Sequence, residues 1–303
     1  MAKKRDLSWP DAPETLPAPV IDNHTHLESI PGVLTEAAPD VGARGYIDQA
    51  VAVNVTRMVQ VGCDLPGIAT TDELVTEHRE LLGAIAIHPN ETPLHARTAD
   101  TGPDGLEPHY SSHHSVSLDD ALATVAGIAA KNPRIRAIGE TGLDYFRAGP
   151  TGIATQRQAF RDHIALAKEL NLALQIHDRD AHEDVIEILL QDGAPDRTVF
   201  HCYSGDTAMA QVAAEHGWYL SFAGPVTFRA NDELRSALRV TPPSRVLVET
   251  DAPYLTPHPH RGRPNAPYLI PLTMGTIADQ LDVSLVDACR QVESNTLAVY
   301  GTW

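Results

Sequence analysis

Six side chains in this 303-residue sequence pair metal-ligating chemistry with a common position. His24 and His26 end the β-branched run 20–26, Glu140 ends 135–140, His177 ends 172–177, His201 lies in 198–202 and Asp251 follows 245–250. A parallel barrel gathers the carboxyl ends of its strands on one face, so residues this far apart in sequence can converge there. Four imidazoles and two carboxylates in such a place suit a two-metal hydrolase site.

His24 and His26 are two apart, and on a strand both rings then point to the same face and can grip one ion. A carboxylate at Glu140, just before Thr141-Gly142-Leu143-Asp144-Tyr145, can bridge two cations or form an ion pair at the barrel rim. His177 and His201 end consecutive strand-like runs, which favours ligation over two hydrogen-bonded core histidines. Asp251, within Glu249-Thr250-Asp251-Ala252-Pro253-Tyr254, is placed to bind a metal and to accept the proton of an attacking water. Glu249 has the same facing parity and could hold a histidine in one tautomer from behind.

The elements that position these groups alternate. Strand-like runs cover 20–26, 57–62, 82–87, 135–140, 172–177, 198–202, 218–222 and 245–250, with helix-like stretches at 46–54, 67–80, 118–131, 155–170, 181–191, 207–216 and 231–238 between them. Phe160, Ile164, Ala167 and Leu170 recur at helical spacing, and Ser117 and Asp180 are candidate caps. Eight strands alternating with helices predict an α/β fold, a (β/α)8 TIM-like barrel in a single domain, with helices at 268–280 and 284–300 closing the outer ring. Residues 1–19, charged and then Pro-rich, read as an N-terminal extension packed on the surface, and 20–303 as the barrel. An insertion at 92–117 carries His95, His109, His113 and His114. It reads either as a mobile loop with solvated imidazoles or as a lid over the barrel mouth.

Composition narrows the partners. A net charge of −17 and a pI near 5.2 leave no general basic field, which argues against extended duplex binding but not against a pocket for one strand end. No apolar run reaches the roughly 18 residues of a membrane span. Lys3, Lys4 and Arg5 lead into Pro and acidic residues, with no secretory pattern, so a cytoplasmic protein without membrane partners is expected. Cys63, Cys202 and Cys289 are too few for a disulfide framework, fit a reducing compartment and read as buried thiols.

The blocks Asp22-Asn23-His24-Thr25-His26, Ala84-Ile85-Ala86-Ile87-His88-Pro89, Ala137-Ile138-Gly139-Glu140-Thr141-Gly142-Leu143-Asp144-Tyr145, Gln175-Ile176-His177, Phe200-His201-Cys202-Tyr203-Ser204-Gly205 and Val248-Glu249-Thr250-Asp251-Ala252-Pro253-Tyr254-Leu255 occur in this order. Together they resemble the TatD-type metal-dependent deoxyribonucleases of the amidohydrolase superfamily. Gly224 to Phe228, Arg261 to Asn265 and Ser294-Asn295-Thr296 resemble that family's later blocks, so the likeness runs from about residue 20 to the C-terminus.

The resemblance implies a barrel with two divalent ions, hydrolysing phosphodiesters of DNA, often from the 3′ end. It implies that His24, His26, Glu140 and Asp251 hold one ion, that Glu140 bridges to a second held by His177 and His201, and that His88 lies by the phosphate. The sequence departs from the family at Asn90, where a second histidine is usual, at Glu28, where Asp is frequent, and in the insertion. The expected metals are Zn, Mn or Mg, imidazole-rich ligation suiting Zn, Mn or Fe better than Mg. Arg229, Arg261 and Arg263 are candidates to clamp phosphate, and Tyr145 and Tyr203 to stack on a base of a single-stranded end. The same cage could instead hydrolyse a small amide, lactone or ester, or serve a non-catalytic metal-binding protein.

Overall fold

Short runs of β-branched and aliphatic residues form the eight strands of one sheet in the computed structural model, which describes residues 6–303. Lys3, Lys4 and Arg5 therefore lie outside the described residues. The strands are β1 (Val20–Thr25), β2 (Val55–Gly62), β3 (Leu81–Ile85), β4 (Ile135–Asp144), β5 (Ala173–Arg179), β6 (Thr198–Phe200), β7 (Tyr219–Phe222) and β8 (Val246–Val248), in the order β1 to β8 across the sheet. The helices are α1 (Gly42–Ala52), α2 (Leu65–Glu77), α3 (Thr92–His95), α4 (Leu118–Lys131), α5 (Pro150–Glu169), α6 (His182–Asp192), α7 (Thr207–Glu215), α8 (Asp232–Val240), α9 (Ile270–Leu281) and α10 (Leu285–Tyr300). The pairs β1–β2, β3–β4, β4–β5, β5–β6 and β7–β8 are parallel, and this is the expected (β/α)8 arrangement.

Local chemistry accounts for the helix ends. Ser117 caps α4 by accepting the Asp120 N–H, with Asp119 and Asp120 in the first turn and Lys131 in the last, matching the helix dipole. Asp206 and Ser284 cap α7 and α10 in the same way. Asp180 does not cap α6. It adopts a left-handed φ of 56°, and the cap position falls to Ala181, which has no side-chain acceptor. Helix α5 begins five residues before the predicted start, because Pro150 is already set for a first helical position and lacks an N–H that would need a partner there.

The chain divides into two compact units. The first comprises residues up to 60, 78–81 and 205–303. Within it β1 meets the segment after β8 through a parallel bridge from Thr25 to Ala252. The His26 N–H donates to the Ala252 carbonyl at 2.8 Å and the Asp251 N–H to the His24 carbonyl at 2.9 Å. The extension is knitted into this unit rather than laid over it. Leu16 and Ala18 are buried, Trp9 packs against Tyr46 and Tyr268, and the Tyr268 hydroxyl donates to the Pro10 carbonyl.

The second unit comprises 61–77 and 82–204. Here β4 runs four residues past Glu140, because its pairing with β5 shifts between Ile138 and Thr141 and then resumes to Asp144. The insertion at 92–117 contains α3 and a 3-10 turn over Ser112–Ser115. Its imidazoles are not all solvated: His95 and His114 are each 3% exposed. Of the cysteines, Cys289 alone is fully buried, while Cys63 and Cys202 are half-buried. No single helix among the described residues is long and apolar enough to cross a membrane.

His163, on the inner face of α5, ties two strand ends of this unit together. Its Nε2 accepts the Ile87 N–H at 3.3 Å, so its proton sits on Nδ1, which faces the Ala159 carbonyl at 2.8 Å and the Thr141 hydroxyl at 2.9 Å. Ile87 precedes His88 and Thr141 follows Glu140. Burial pushes the imidazolium of His163 down to about 4 against the favourable Ala159 contact, so the ring is neutral in the folded protein. In the unfolded chain it takes a proton below about pH 6.5. Stability is therefore lost as pH falls from about 6.5 towards 4, by about 3 kcal/mol from this residue. Denaturant unfolding should show this acid loss in the wild type and a shallower one in His163→Gln; parallel pH profiles would refute the assignment.

Candidate metal centre

The first unit brings together His24, His26 and Asp251. The two imidazole Nε2 atoms lie 3.1 Å apart, and Asp251 Oδ1 is 3.5 Å from His26 Nε2 and 3.9 Å from His24 Nε2. Asp22 sets this geometry from behind. Its carboxyl accepts the N–H groups of Thr250 and His24 and the Thr250 hydroxyl, linking the strand that carries the histidines to the turn that carries Asp251. Burial drives the Asp22 carboxyl up to about 8, against those hydrogen bonds. Glu28 points a carboxylate oxygen at His26 Nδ1 from 3.9 Å and is held by Gln60 and Ser29. The longer arm in place of a frequent Asp thus still reaches the ring. Glu249 accepts from the Asn23 amide, whose oxygen takes the Tyr300 hydroxyl.

The second unit gathers His88, Glu140, His177 and His201. Glu140 Oε1 lies 2.5 Å from His177 Nδ1, 2.7 Å from His201 Nε2 and 3.4 Å from His88 Nε2. Candidate ligand atoms of His88, Glu140 and His177 all fall within 4.8 Å of one another. Burial would raise the Glu140 carboxyl, yet the His201, His88 and His177 rings hold it well below the usual carboxylate range. Burial likewise disfavours a charged His177, but Asp144 and Glu140 outweigh it and carry its imidazolium up to about 9.

Asp144 went without a role in the sequence, although strand parity could have revealed it: Glu140, Gly142 and Asp144 are two apart along β4 and share a face. Its Oδ2 meets His177 Nε2 at 3.2 Å, which leaves Nδ1 as the candidate ligand atom. The Asn90 amide donates to the same oxygen at 3.1 Å. The residue standing where a histidine is usual therefore supports Asp144. The Asn90 N–H also donates to His88 Nδ1 at 3.0 Å, so a neutral His88 carries its proton on Nε2 and presents a donor towards Glu140. A second residue missed in the sequence is Cys63, whose thiol donates to Glu140 Oε2 at 3.4 Å.

Both sets offer imidazole lone pairs and carboxylate oxygens only a few ångströms apart, the donor chemistry of Zn or Mn sites, and they fit divalent ions.

The candidate substrate contacts fare unevenly. Tyr203 is 3% exposed and cannot stack on a base. The Tyr145 hydroxyl donates to Asp184, which also binds Arg157. Arg263 is withdrawn from phosphate binding, since its guanidinium donates to the Ser8 carbonyl and hydroxyl and to the Trp9 carbonyl and lies 3.3 Å from Asp6. Arg229 is exposed. Arg261 lies over the Phe228 ring, 4.3 Å from its centroid, in the wall of a cavity of about 360 Å³ that Pro253 and Leu255 also line. Tyr254, 52% exposed with its ring 6.2 Å from that of His26, is the aromatic beside the first set that the sequence offered without a role.

Two substitutions test the second set. Asp144→Asn removes the charge that orients His177 and should weaken metal binding about 10- to 100-fold, read by competition with a chromophoric chelator. At Gly142, φ is 139° and an added Cβ would sit 2.0 Å from the His177 carbonyl oxygen. Gly142→Ala should therefore push β4 from β5, lowering both thermal stability and metal content. Wild-type metal content in both variants would show that neither residue shapes the set.

Residues 21–301 match the family described as TatD related DNase. The chain is 37% identical over 287 residues to the uncharacterized metal-dependent hydrolase TatD of Mycobacterium tuberculosis, covering 93% of this chain and 98% of that one. It is 32% identical over 283 residues to the uncharacterized metal-dependent hydrolase YabD of Bacillus subtilis, with 93% and 98% covered. The solved structure of YJJV, a TatD homolog from Escherichia coli, superposes with a TM-score of 0.77 at 19% identity over 94% of this chain and 98% of that chain, showing the same fold. With the ligand-type residues gathered at the strand ends and the match running almost the whole length, the chain belongs to the TatD family of metal-dependent hydrolases.

Proposed function

We propose that the protein is a phosphodiesterase acting on single-stranded DNA ends, a 3′-to-5′ exonuclease by the resemblance of its motifs. The observation that carries this reading is the match to a family described as TatD related DNase on a chain that keeps all six ligand-type residues in two tight sets. By that resemblance His24, His26 and Asp251 hold one divalent ion, His177 and His201 another, and Glu140 is shared. A bound pair of Zn, Mn or Mg ions supplies the acidity that makes water a nucleophile near neutral pH.

The chain's own residues do the rest. Asp251 accepts the water's proton as its oxygen bonds to phosphorus; the phosphorus–oxygen ester bond to the departing sugar oxygen breaks, and that oxygen takes up a proton from solvent to leave as an alcohol. His88 offers its Nε2–H to a phosphate oxygen, held in that tautomer by the Asn90 N–H. Arg261 and Arg229 supply positive charge near a strand end, and Tyr254 offers an exposed ring for a base. With so few cations, little of the affinity comes from counterion release, and binding should fall gently with salt. Three cysteines, an odd count too small for a disulfide framework, support a cytoplasmic location.

One observation favours a second reading, a hydrolase of a small amide, lactone or ester. A cavity of about 270 Å³, near the small end of small-molecule sites, is lined by Asn90, Asp104, Glu107, His109, Arg147 and Gln156, and its arginine is paired with Asp104, so it offers little positive charge to a phosphate chain.

Metal-reconstituted protein offered 3′- and 5′-labelled single-stranded DNA beside a panel of small esters and amides decides between the two; cleavage of the panel alone would overturn the nuclease reading. Asp251→Asn should keep the fold and most of the metal and lose nearly all turnover, and wild-type turnover at confirmed metal content would remove Asp251 from the mechanism. Tyr254→Ala should weaken DNA binding by about 1–3 kcal/mol while leaving hydrolysis of a small bis-aryl phosphate nearly unchanged. Equal losses on both substrates would place Tyr254 in support of the metal set instead.

A further inference from the structure

A third cluster of ligand-type side chains lies in the second unit, made of residues outside the family motif blocks. Glu91 and His95 are one helical turn apart at the two ends of α3, and His113 and His114 lie in the 3-10 turn that ends the insertion. Glu91 Oε2 is 3.1 Å from His113 Nε2 and 2.7 Å from His114 Nε2. The His95 ring lies 5.8 Å from that of His113 and 5.1 Å from that of His114, centroid to centroid. One candidate ligand atom from each of the four residues lies within 4.8 Å of the others.

Tautomers sort these residues into roles. His95 Nδ1 lies 2.9 Å from the Val116 carbonyl, an acceptor, so the proton is on Nδ1 and Nε2 bears a lone pair. That Nε2 is buried and has no hydrogen-bond partner among the described residues, on a side chain that is 3% exposed. An unmet buried acceptor is unfavourable, and a bound cation would satisfy it. His114 Nδ1 accepts the Ser111 N–H at 2.8 Å, so its proton is on Nε2 and it donates to Glu91. It orients the carboxylate and does not ligate.

We propose that Glu91, His95 and His113 bind a divalent ion of the zinc class, with His114 and the Val116 carbonyl holding Glu91 and His95 in register. Two imidazoles and a carboxylate are a zinc donor set whose fourth tetrahedral position goes to water. Hydrogen bonds from behind, carboxylate to His114 and imidazole to carbonyl, are the arrangement that orients metal ligands. Such an ion clips the two ends of the loop 96–112 together. That loop supplies Asp104, Leu106, Glu107, Pro108 and His109 to the wall of the 270 Å³ cavity. The clip thereby fixes the shape of a pocket that Asn90, the residue that supports Asp144, also lines.

The test compares zinc per chain, by elemental analysis after chelation and dialysis against zinc, in the wild type, His95→Ala and His113→Ala. Each variant should hold one equivalent fewer than the wild type. The difference is independent of how many ions the family's own ligands hold and of whether the protein cleaves DNA, so it stands or falls apart from the functional reading. Equal zinc in all three overturns the proposal. Should the alanine variants lose their circular-dichroism signature, Glu91→Gln is read in the same way. The wild type also gives an independent measurement: added zinc should slow hydrogen exchange of the amides of residues 111–116, and unchanged exchange there would equally overturn it.

Discussion

A carboxylate withdrawn from water has to be neutralised by what surrounds it, and Glu140 is the clearest case in this protein. Its side chain is 6% exposed, and three imidazole nitrogens face one of its oxygens. Alone, a buried anion of this kind would cost several kcal/mol or take up a proton. Here His177, its imidazolium carried up to about 9 by Asp144 and Glu140, supplies compensating charge in the metal-free state. Divalent ions would take over that duty when bound, displacing the proton that His177 holds. The residues that surround Glu140 are thus fixed by one electrostatic requirement in both states.

Much of the remaining scaffold serves to hold such groups at the right depth. Gly142 permits β4 and β5 to approach where a side chain would strike the His177 carbonyl, and the register shift at Glu140 lets β4 continue far enough to bring Asp144 behind His177. His163 braces the neighbours of His88 and Glu140 from α5. In the first unit, Asp22 does the corresponding work for His24 and Asp251 by collecting donors from both chain segments. None of these groups carries out chemistry. Each makes a ligand-type residue point one way only.

The outer segments bear on what reaches the chemistry. The N-terminal extension occupies Arg263, so fewer cations face a polyanion than the count of arginines in the late loops suggests. The insertion brings acidic side chains to the wall of a cavity beside Asn90 and packs its own histidines around Glu91. Both features belong to loops, where barrel enzymes vary their substrates without altering the strands.

The sequence by itself determined the alternation of strands and helices, the class of fold and the identity of the ligand-type residues. Those are set by local periodicity and by the fact that metal chemistry needs imidazole and carboxylate groups at strand ends: α4 was legible to the residue, and His24, His26 and Asp251, like Glu140, His177 and His201, lie together within their units. What only the tertiary structure decided is how side chains are spent. Tyr203 buried out of reach of a base, Arg263 tied to Ser8 and Trp9, and Asp180 in a left-handed turn instead of a cap all depend on partners distant in sequence or on backbone conformation. The same holds for the buried His95 and His114 and for the support that Asp144 and Asn90 give His177. Hydrogen-bond partners are chosen by proximity in space, and a one-dimensional pattern records which groups are available but not which of them meet.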